Sequence, residues 1–342
     1  MWLLNDKFII KQFFISCLLF LKYLFTYLLI FSLHFYKAQQ VAAYTQFTFN
    51  KAGLNPAASG TDINQKIYYV FGIARTMVAF DNAPKQNFAN FSYTIRPPRS
   101  YHYWQNVGAY VETDQSGVME NNGIYASYTF HLLLNKNILA SFGVFAGFRK
   151  FLISTSLLDA NDPIVQKSNY NTYSYPDIIP GFRLSSKKFF FDISARQLTV
   201  IQQKDMFRKN GKQIGGPSYL NPNIYVSYGR FIPVTHDFVL LPSFAINNAL
   251  ISVPNVDVSV MLYYNNLFGV GLTARNVNFI GGVFQMKILK NLSIGMAYSR
   301  SINKLSYASP NGYEIMVGVT PMGLNTKFTG NRSIAKCPAL EF

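Results

Sequence analysis

The side chains that could carry out chemistry in this 342-residue chain are few and far apart. A zinc site needs three or four converging ligands, and the histidines beyond residue 38 stand at widely separated positions, His102, His131 and His236. Hydrolysis would require a Ser-His-acid or Asp-His set, which these residues do not supply. We therefore interpret the histidines as scattered surface or interior residues and predict that the protein is not an enzyme.

A short acidic cluster and the cysteines offer no ligand site either. Asp159 and Asp162 stand close together, but the sequence around them lacks the Gly and Glu of a full calcium-binding loop, so a solvated turn is preferred. Of the two cysteines, only Cys337 lies beyond residue 38, which rules out an intramolecular disulfide or a cysteine metal site in an exported chain. The sequence predicts no cofactor and no metal.

Four polar residues, Asp257, Arg275, Gln285 and Lys287, are different because they lie within a repeated strand pattern. We predict that they face the interior, or lumen, of a β-barrel. Polar side chains are expected in any barrel interior, so these residues either pair with one another there or set the selectivity of a pore. The sequence leaves both interpretations open.

The pattern that contains them spans residues 256–302 and recurs four times, as VDVSVMLYY, LFGVGLTAR, FIGGVFQMKIL and LSIGMAYSRSI. In each copy large apolar side chains alternate with small or polar ones. Alternation with a period of two residues is typical of a β-strand whose two faces contact different environments. The links at 265–266, 276–278 and 290–291 are short and rich in Asn, which indicates hairpin turns.

The composition places these strands in a membrane. Charged residues make up only 13% of the chain and aromatic residues 16%, whereas a soluble domain carries about 25% charged residues. A soluble propeller or sandwich is the alternative, but it needs charged outer faces, and here the faces opposite the apolar ones hold mostly Gly, Ser, Ala and Tyr. The predicted fold class is all-β, a single antiparallel barrel in an outer membrane.

The formal net charge of +16 raises the question of a nucleic-acid partner. Lys and Arg are scattered over turns and strand ends without a run of five or more, so no nucleic-acid face is predicted. Proximity to anionic lipid or lipopolysaccharide is the preferred explanation of the charge.

About fourteen strands of roughly ten residues are predicted, the length that a tilted strand needs to cross an outer membrane. Their ranges are 66–76, 86–95, 104–113, 122–133, 137–148, 178–186, 188–198, 222–232, 236–246, 255–264, 267–275, 278–288, 291–300 and 311–320. Connections alternate between short, as at 134–136, and long, as at 151–177 and 199–221, with the short link at 276–278 as an exception. Short periplasmic turns and long outer loops are the rule for such barrels, and an even strand number then places both termini in the periplasm.

The chain before the barrel is predicted to hold two segments. Residues 1–38 are assigned as a signal peptide, because Lys7 and Lys11 precede an apolar run at 13–35. A retained inner-membrane anchor is the alternative. Residues 39–62 are assigned as an irregular N-terminal segment that packs in or under the barrel, since glycine and proline residues interrupt any strand pattern there.

The barrel itself is assigned to residues 63–320. Residues 321–342 follow the last predicted strand and are assigned as a C-terminal periplasmic tail, which serves as a contact surface or as a plug. Tyr and Phe near the strand ends are typical of interfacial aromatic girdles.

Short motifs in a fixed order carry a family resemblance. They are Thr45-Gln-Phe-Thr-Phe-Asn50 with Leu54-Asn-Pro-Ala57 and Gly60, Pro176-Asp-Ile-Ile-Pro-Gly-Phe-Arg183 with Ser186-Lys-Lys-Phe-Phe190, Tyr228-Gly-Arg230 with Leu241-Pro-Ser-Phe244, Asp257 with Leu262-Tyr-Tyr-Asn-Asn266, Glu314-Ile315, and Cys337-Pro338. Each piece is weak alone, but their order and spacing resemble the PorP/SprF proteins of the type IX secretion system of the Bacteroidetes. The resemblance runs over nearly the whole chain after residue 38.

The resemblance implies an outer-membrane barrel of the secretion and gliding motility machinery that binds, anchors or guides exported proteins. Such cargo is often a large surface adhesin bearing a type B C-terminal domain. The resemblance also implies contacts with periplasmic components of the apparatus, and it brings no catalytic residue. From the residues alone, a passive porin or small-solute channel is the alternative, and an outer-membrane hydrolase is a weaker third.

Overall fold

A computed structural model describes residues 44–62, 65–80, 82–97, 102–154, 172–198, 208–209, 212–213, 222–249, 254–265, 267–276, 278–289, 291–302, 304–307 and 311–321. The predicted signal peptide at 1–38, the acidic cluster at 159–162 and Cys337 lie outside these ranges, as does nearly all of the predicted tail. In the described part of the chain, no helix has both the length and the apolar character needed to cross a membrane.

Fourteen antiparallel strands of the described residues form the barrel wall. They are β1 (Ile67–Thr76), β2 (Lys85–Ile95), β3 (Tyr103–Ser116), β4 (Met119–Asn135), β5 (Ile138–Ile153), β6 (Thr172–Ser186), β7 (Phe189–Arg196), β8 (Asn223–Arg230), β9 (Phe238–Ala249), β10 (Asn255–Tyr264), β11 (Phe268–Arg275), β12 (Phe279–Leu289), β13 (Leu292–Ser301) and β14 (Asn311–Val319). A two-residue strand, Ile232–Pro233, adds to the edge of β9, and Arg208–Lys209 pairs with Lys212–Gln213 in a separate hairpin.

Each strand pairs with its neighbours in chain order, and the first strand pairs with the last. The closing contact runs from Tyr69 opposite Val319 to Thr76 opposite Gly312. The wall therefore has no free first or last edge, which is how antiparallel barrels satisfy their backbone hydrogen bonds within lipid. The predicted all-β antiparallel barrel of about fourteen strands is confirmed.

The alternation of side chains follows the strand period. On β10 and β11, Val258, Val260, Val270 and Leu272 are exposed on the outer face, and Leu272 is the most open at 74%. The intervening Ser259 and Met261 are buried on the inner face. Because successive side chains point to opposite faces, one sequence pattern gives a wall that is apolar outside and small or polar inside.

The connections define two ends of the barrel. At the short-turn end, β4 and β5 are joined by residues 136–137 and β6 and β7 by 187–188, and β1 begins and β14 ends there. At the opposite end, the long-loop end, the longer connections at 154–171 and 197–222 lie between strands. The predicted alternation of turn lengths is reproduced in part, because the links at 117–118 and 276–278 are short although they lie at the long-loop end.

Several predicted strand boundaries at the long-loop end were wrong. The predicted ends at 113 and 122 stop short of β3 and β4, which reach Ser116 and Met119 and meet in a two-residue turn where Gly117 has a φ of 59°. A polar residue is compatible with an inward strand position when the interior supplies a partner, as it does for Glu112. A positive φ suits glycine.

The predicted start of β6 at 178 was also wrong, because β6 begins at Thr172. Proline has no N–H to donate to a ladder, and β6 contains both Pro176 and Pro180. On one side β6 pairs with β5 through both prolines, whereas on the other side it pairs with β7 only across Gly181–Ser185 within the described residues. Both prolines thus precede the stretch that pairs with β7.

Leu272→Arg tests the outward face. A charge at this exposed position in the middle of β11 is expected to lower the free energy of unfolding in phospholipid vesicles by about 2–4 kcal/mol, because the arginine must enter hydrocarbon. Tyr307→Arg is the control, since Tyr307 is 94% exposed in the 3-10 turn Lys304–Tyr307 outside the strands. Denaturant titration should give a near-native value for the control. Equal stability of both variants would contradict the assignment of this face to lipid.

Candidate functional site: the barrel interior and its N-terminal segment

The interior of the barrel holds residues 44–62, which we call the inner segment. One helical turn, α1 (Lys51–Leu54), and a 3-10 turn, Pro56–Ala58, form where the sequence suggested irregular chain. Asn55 separates them, and its Oδ1 accepts a hydrogen bond from the N–H of Ala57 at 3.0 Å. Proline as the first residue of the 3-10 turn costs no hydrogen bond, because that N–H would be unpaired anyway.

The apolar side chains of the inner segment form the centre of the core. Tyr44, Phe47, Phe49 and Leu54 are all buried. Aromatic side chains that point inward from the wall belong to the same cluster. They are Phe88, Tyr110, Tyr125, Phe145 and Tyr225. Burial of each large apolar side chain contributes roughly 1.5–3 kcal/mol, so the segment is an integral part of the fold.

The first residues of the inner segment are held by β14. The backbone N–H groups of Thr45 and Gln46 donate to the two carboxylate oxygens of Glu314 at 2.5 and 3.0 Å. Hydrogen bonds to an ionised acceptor are stronger than neutral ones. Glu314 therefore links the start of the described chain to its last strand.

The middle of the inner segment is bonded to β6 and β7. The Asn55 side-chain amide donates to the carbonyl of Phe182 at 2.9 Å and to Asp192 Oδ1 at 2.8 Å. Ser194 Oγ donates to the carbonyl of Leu54 at 2.7 Å, and the Arg196 guanidinium donates to the carbonyl of Gly53. Carbonyl groups that a short helix leaves unpaired are thus satisfied by the wall.

The last residues of the inner segment are bonded to β3 and β4. Thr129 Oγ1 donates to the carbonyl of Pro56 at 2.8 Å, and Trp104 Nε1 donates to the carbonyl of Gly60 at 2.8 Å. His131 is fully buried, with Nε2 at 2.9 Å from the carbonyl of Ser59 and Nδ1 at 2.8 Å from Ser141 Oγ. A carbonyl only accepts, so His131 Nε2 carries the proton. Of the three histidines, His131 is buried in the interior, whereas His102 and His236 are exposed.

A network of buried ions lies beside the inner segment. Glu112 on β3 accepts from Arg196 at 3.1 Å on each oxygen, from Arg149 on β5, and from Tyr110 Oη at 2.9 Å. Arg149 also contacts Asp177 on β6, with its Nε at 3.3 Å from the carboxylate. Because a buried charge is costly unless it is paired, two acids and two bases compensate one another here.

The four residues predicted to face the interior occupy neighbouring strands. Arg275 Nε donates to Asp257 Oδ1 at 2.5 Å, and these side chains are 17% and 8% exposed. Gln285 is 1% exposed, and its Oε1 accepts from Tyr263 Oη at 2.9 Å. Lys287 lies two residues further along β12 and is half-buried. The structure thus joins Asp257 with Arg275 in one pair and gives Gln285 a separate partner.

The strongest interior interactions involve residues that sequence reasoning missed. They are Glu112, Arg149, Asp177, Arg183, Asp192, Arg196 and Glu314. Each occupies an inward position of a strand, so the period of two, applied to all fourteen strands, would have found them. Together, these ion pairs and hydrogen bonds hold the inner segment inside the closed wall.

A closed antiparallel barrel that is apolar outside and polar inside defines a transmembrane β-barrel of the outer-membrane type. Residues 36–319 match the family model described as type IX secretion system membrane protein PorP/SprF. The chain belongs to this family, as its motifs indicated. No curated protein sequence matches the chain.

Solved structures of outer-membrane barrels are similar in outline. The toluene transporter TbuX of Ralstonia pickettii matches with 10% identity over 78% of this chain and 92% of that chain, with a TM-score of 0.47. The toluene transporter TodX of Pseudomonas putida matches with 8% identity over 84% and 94%, with a TM-score of 0.43. A mutant porin of Rh. blastica matches with 7% identity over 74% and 98%, with a TM-score of 0.32. Likeness at this level carries no argument about function.

Gly143→Ala tests the close approach of the inner segment to the wall. A Cβ at this position would lie 2.3 Å from the nitrogen of Ala57 and 2.5 Å from the carbonyl carbon of Pro56. Because both neighbours are backbone atoms, the segment must shift, and we expect a loss of about 1–3 kcal/mol in unfolding free energy and faster tryptic cleavage after Lys51. Gly282→Ala is the control, since a Cβ there meets nothing within 4 Å. Native cleavage rates in both variants would contradict the packing described.

Glu112→Gln tests the ion network. The substitution leaves Arg149 and Arg196 without their shared carboxylate, and breaking a buried pair in this way is expected to cost about 3–5 kcal/mol. Glu120→Gln on β4 is the matched control, because Glu120 is only half-buried and bonds to Asn122 at 2.6 Å. Unfolding by urea in detergent micelles measures both. A Glu112 variant as stable as the Glu120 variant would show that the network does not stabilise the barrel.

Proposed function

We propose that this protein is the outer-membrane barrel of the type IX secretion apparatus that binds, anchors or guides an exported surface protein, an adhesin with a type B C-terminal domain. Family membership supports a place in the secretion system. The observation that carries the proposal further is the barrel interior, where buried ions and backbone-directed side chains hold a polypeptide segment. A barrel so built is suited to polypeptide partners.

The occupied interior favours this role over that of a passive porin or small-solute channel. A diffusion pore needs a water-filled path, whereas here the inner segment and its aromatic cluster occupy part of the interior. Buried aromatic side chains of the wall, such as Tyr110 and Phe145, stack with ring centroids 5.1 Å apart. Such packing opposes the free passage of solutes. The role is that of a non-enzymatic binding protein.

The orientation follows from the turn lengths. We infer that the short-turn end faces the periplasm, because short turns are periplasmic in barrels of this type. Both ends of the barrel chain, before Ile67 and after Val319, then lie on the periplasmic side, where other components of the apparatus are reached. The long-loop end faces outward and is the side on which exported cargo is held, while the apolar outer face contacts lipid.

Asp257, Arg275, Gln285 and Lys287 are assigned to this interior as structural and lining residues. The pairing of Asp257 with Arg275 and of Gln285 with Tyr263 favours the interpretation in which interior polar groups satisfy one another. In this role they keep strands β10 to β12 in register around the inner segment. A selectivity filter would require the same groups to be open to solution.

Isolation of the tagged chain from its native outer membrane in mild detergent tests the proposal. We expect a large surface protein with a β-rich C-terminal domain to co-purify and to be identified by mass spectrometry. An unrelated tagged outer-membrane barrel from the same cells is the control. The same preparation in a planar bilayer should conduct poorly.

A barrel that purifies alone and forms large, stable open pores would overturn the proposal in favour of the porin. Capture of the same surface protein by the control barrel would show that the association is nonspecific. A specific cleavage activity towards lipid or peptide in the pure protein would instead favour a hydrolase.

A further inference from the structure

Basic side chains gather on one part of the rim at the short-turn end of the barrel. Lys136 follows the last residue of β4, Lys188 precedes the first residue of β7, and Arg230 is the last residue of β8. All three residues are exposed, and we call them the basic cluster. Each lies within one residue of a strand end, so the cluster marks the edge of the wall.

The pairing of the strands brings the three residues of the basic cluster side by side. The first residue of β5 is opposite the last residue of β6, so the turn with Lys136 adjoins the turn at 187–188. Arg230 is opposite the first residue of β7, and the N–H of Phe231 donates to the carbonyl of Lys188 at 2.8 Å. Successive short turns are about 10 Å apart, or two strand spacings. Long side chains from neighbouring turns can therefore reach one headgroup.

The charge of this part of the rim is positive. In the described turns at 136–137, 187–188 and 231–237, the acidic residue is Asp237, whose carboxylate lies 3.0 Å from His236 Nδ1. Within the described part of the chain, no ion pair is formed by Lys136, Lys188 or Arg230. The basic cluster therefore favours an anionic ligand.

Aromatic side chains cover the outer face of the wall next to the basic cluster. Phe142 on β5 and Phe182 on β6 have ring centroids 5.1 Å apart. Tyr228 on β8 stacks with Phe189 on β7 at 6.4 Å and packs against Phe244 on β9 at 6.0 Å. Bands of aromatic residues on the outer face of a barrel lie at the level of the lipid headgroups. The basic cluster is thus at the level of lipid phosphates.

A glycerophospholipid with a net negative charge matches both features. Lys and Arg donate hydrogen bonds to phosphate oxygens, while their aliphatic stems and the aromatic rings contact the apolar part of the lipid. A zwitterionic headgroup would bring a second positive charge to the basic cluster. An acidic protein would match the charge, but it would have no use for an aromatic band that faces hydrocarbon.

We propose that the basic cluster and the adjoining aromatic band form a binding site for an anionic glycerophospholipid. Its phosphate is held by Lys136, Lys188 and Arg230, and its acyl chains lie along the outer face of β5 to β9. The site is independent of the function proposed above. Its assignment to the periplasmic leaflet rests on the orientation inferred there.

Binding of a fluorescently labelled phosphatidylglycerol to the purified protein in neutral detergent micelles tests the site, with fluorescence anisotropy as the measurement. We expect saturable binding, at least about tenfold tighter than that of the same probe with a phosphatidylcholine headgroup, because the clustered cations attract only a net negative charge. The triple variant Lys136→Gln, Lys188→Gln and Arg230→Gln keeps polar side chains and should bind phosphatidylglycerol at least about tenfold more weakly.

The matched control is a second triple variant, Lys85→Gln, Lys150→Gln and Arg300→Gln. It removes three exposed cations at the long-loop end, so both variants change the net charge equally. The control should bind phosphatidylglycerol as the native protein does.

Equal affinity of the native protein and the basic-cluster variant would overturn the proposal, as would equal affinity for the two headgroups. An equal loss in both triple variants would show that net charge, not this site, attracts the lipid. Displacement of the probe by water-soluble glycerol 3-phosphate would replace the lipid by a free phosphate, and displacement by hexaglutamate would replace it by an acidic protein. If the triple variant does not fold, Lys136→Gln and Arg230→Gln decide singly, each with an expected loss of about fivefold.

Discussion

The constraint on which the rest of the structure depends is the closure of fourteen strands around one interior. A barrel of this size encloses more space than the inward side chains of its own wall fill. Here the inner segment enters that space, and its apolar side chains become the centre of the core. The small inward residues of the wall follow from this. At Gly181, a Cβ would lie 2.0 Å from Asn55 Oδ1, so only glycine permits the observed approach.

The buried charges follow from the same constraint. A short helical turn leaves carbonyl and N–H groups unpaired, and water cannot reach them all in a filled interior. Arg196, Ser194 and Thr129 therefore donate to carbonyls of the inner segment, and Glu314 accepts from its N–H groups. The charged side chains that make these hydrogen bonds need oppositely charged partners themselves. The network around Glu112 supplies them, so its acids and bases are tied to the presence of the segment.

A barrel organised in this way presents different chemistry on its two faces. The inward faces of the wall donate to and accept from backbone groups of the inner segment, as Thr129, Ser194 and Glu314 do. These groups lie on inward strand faces, while the outer face is mostly apolar, with charged side chains such as Lys150 and Arg300 exposed near the strand ends. The outer face of the wall is therefore suited to contact with lipid, and the inner face is suited to contact with the inner segment.

Much of this architecture is determined by the sequence itself. The antiparallel barrel, its strand number and its outward apolar face were predicted from the period of two in residues 256–302, the Asn-rich turns and the scarcity of charge. This was possible because alternate residues of a strand face its two different environments. The ordered motifs gave the family. The predicted strand ends at 113, 122 and 178 were wrong, because β3, β4 and β6 continue further towards the long-loop end, where an inward polar residue such as Asp177 has an interior partner.

Only the tertiary structure decided how the interior is filled and which charges meet. Glu112 and Arg196 are far apart in the sequence, as are Glu314 and Thr45, and no local pattern encodes such pairs. Their contacts depend on the closure of the barrel, which sets the distance across the interior, and on the path of the inner segment through it. The alternation along a strand determines the face on which a side chain lies. The geometry of the closed wall determines which residue that side chain contacts.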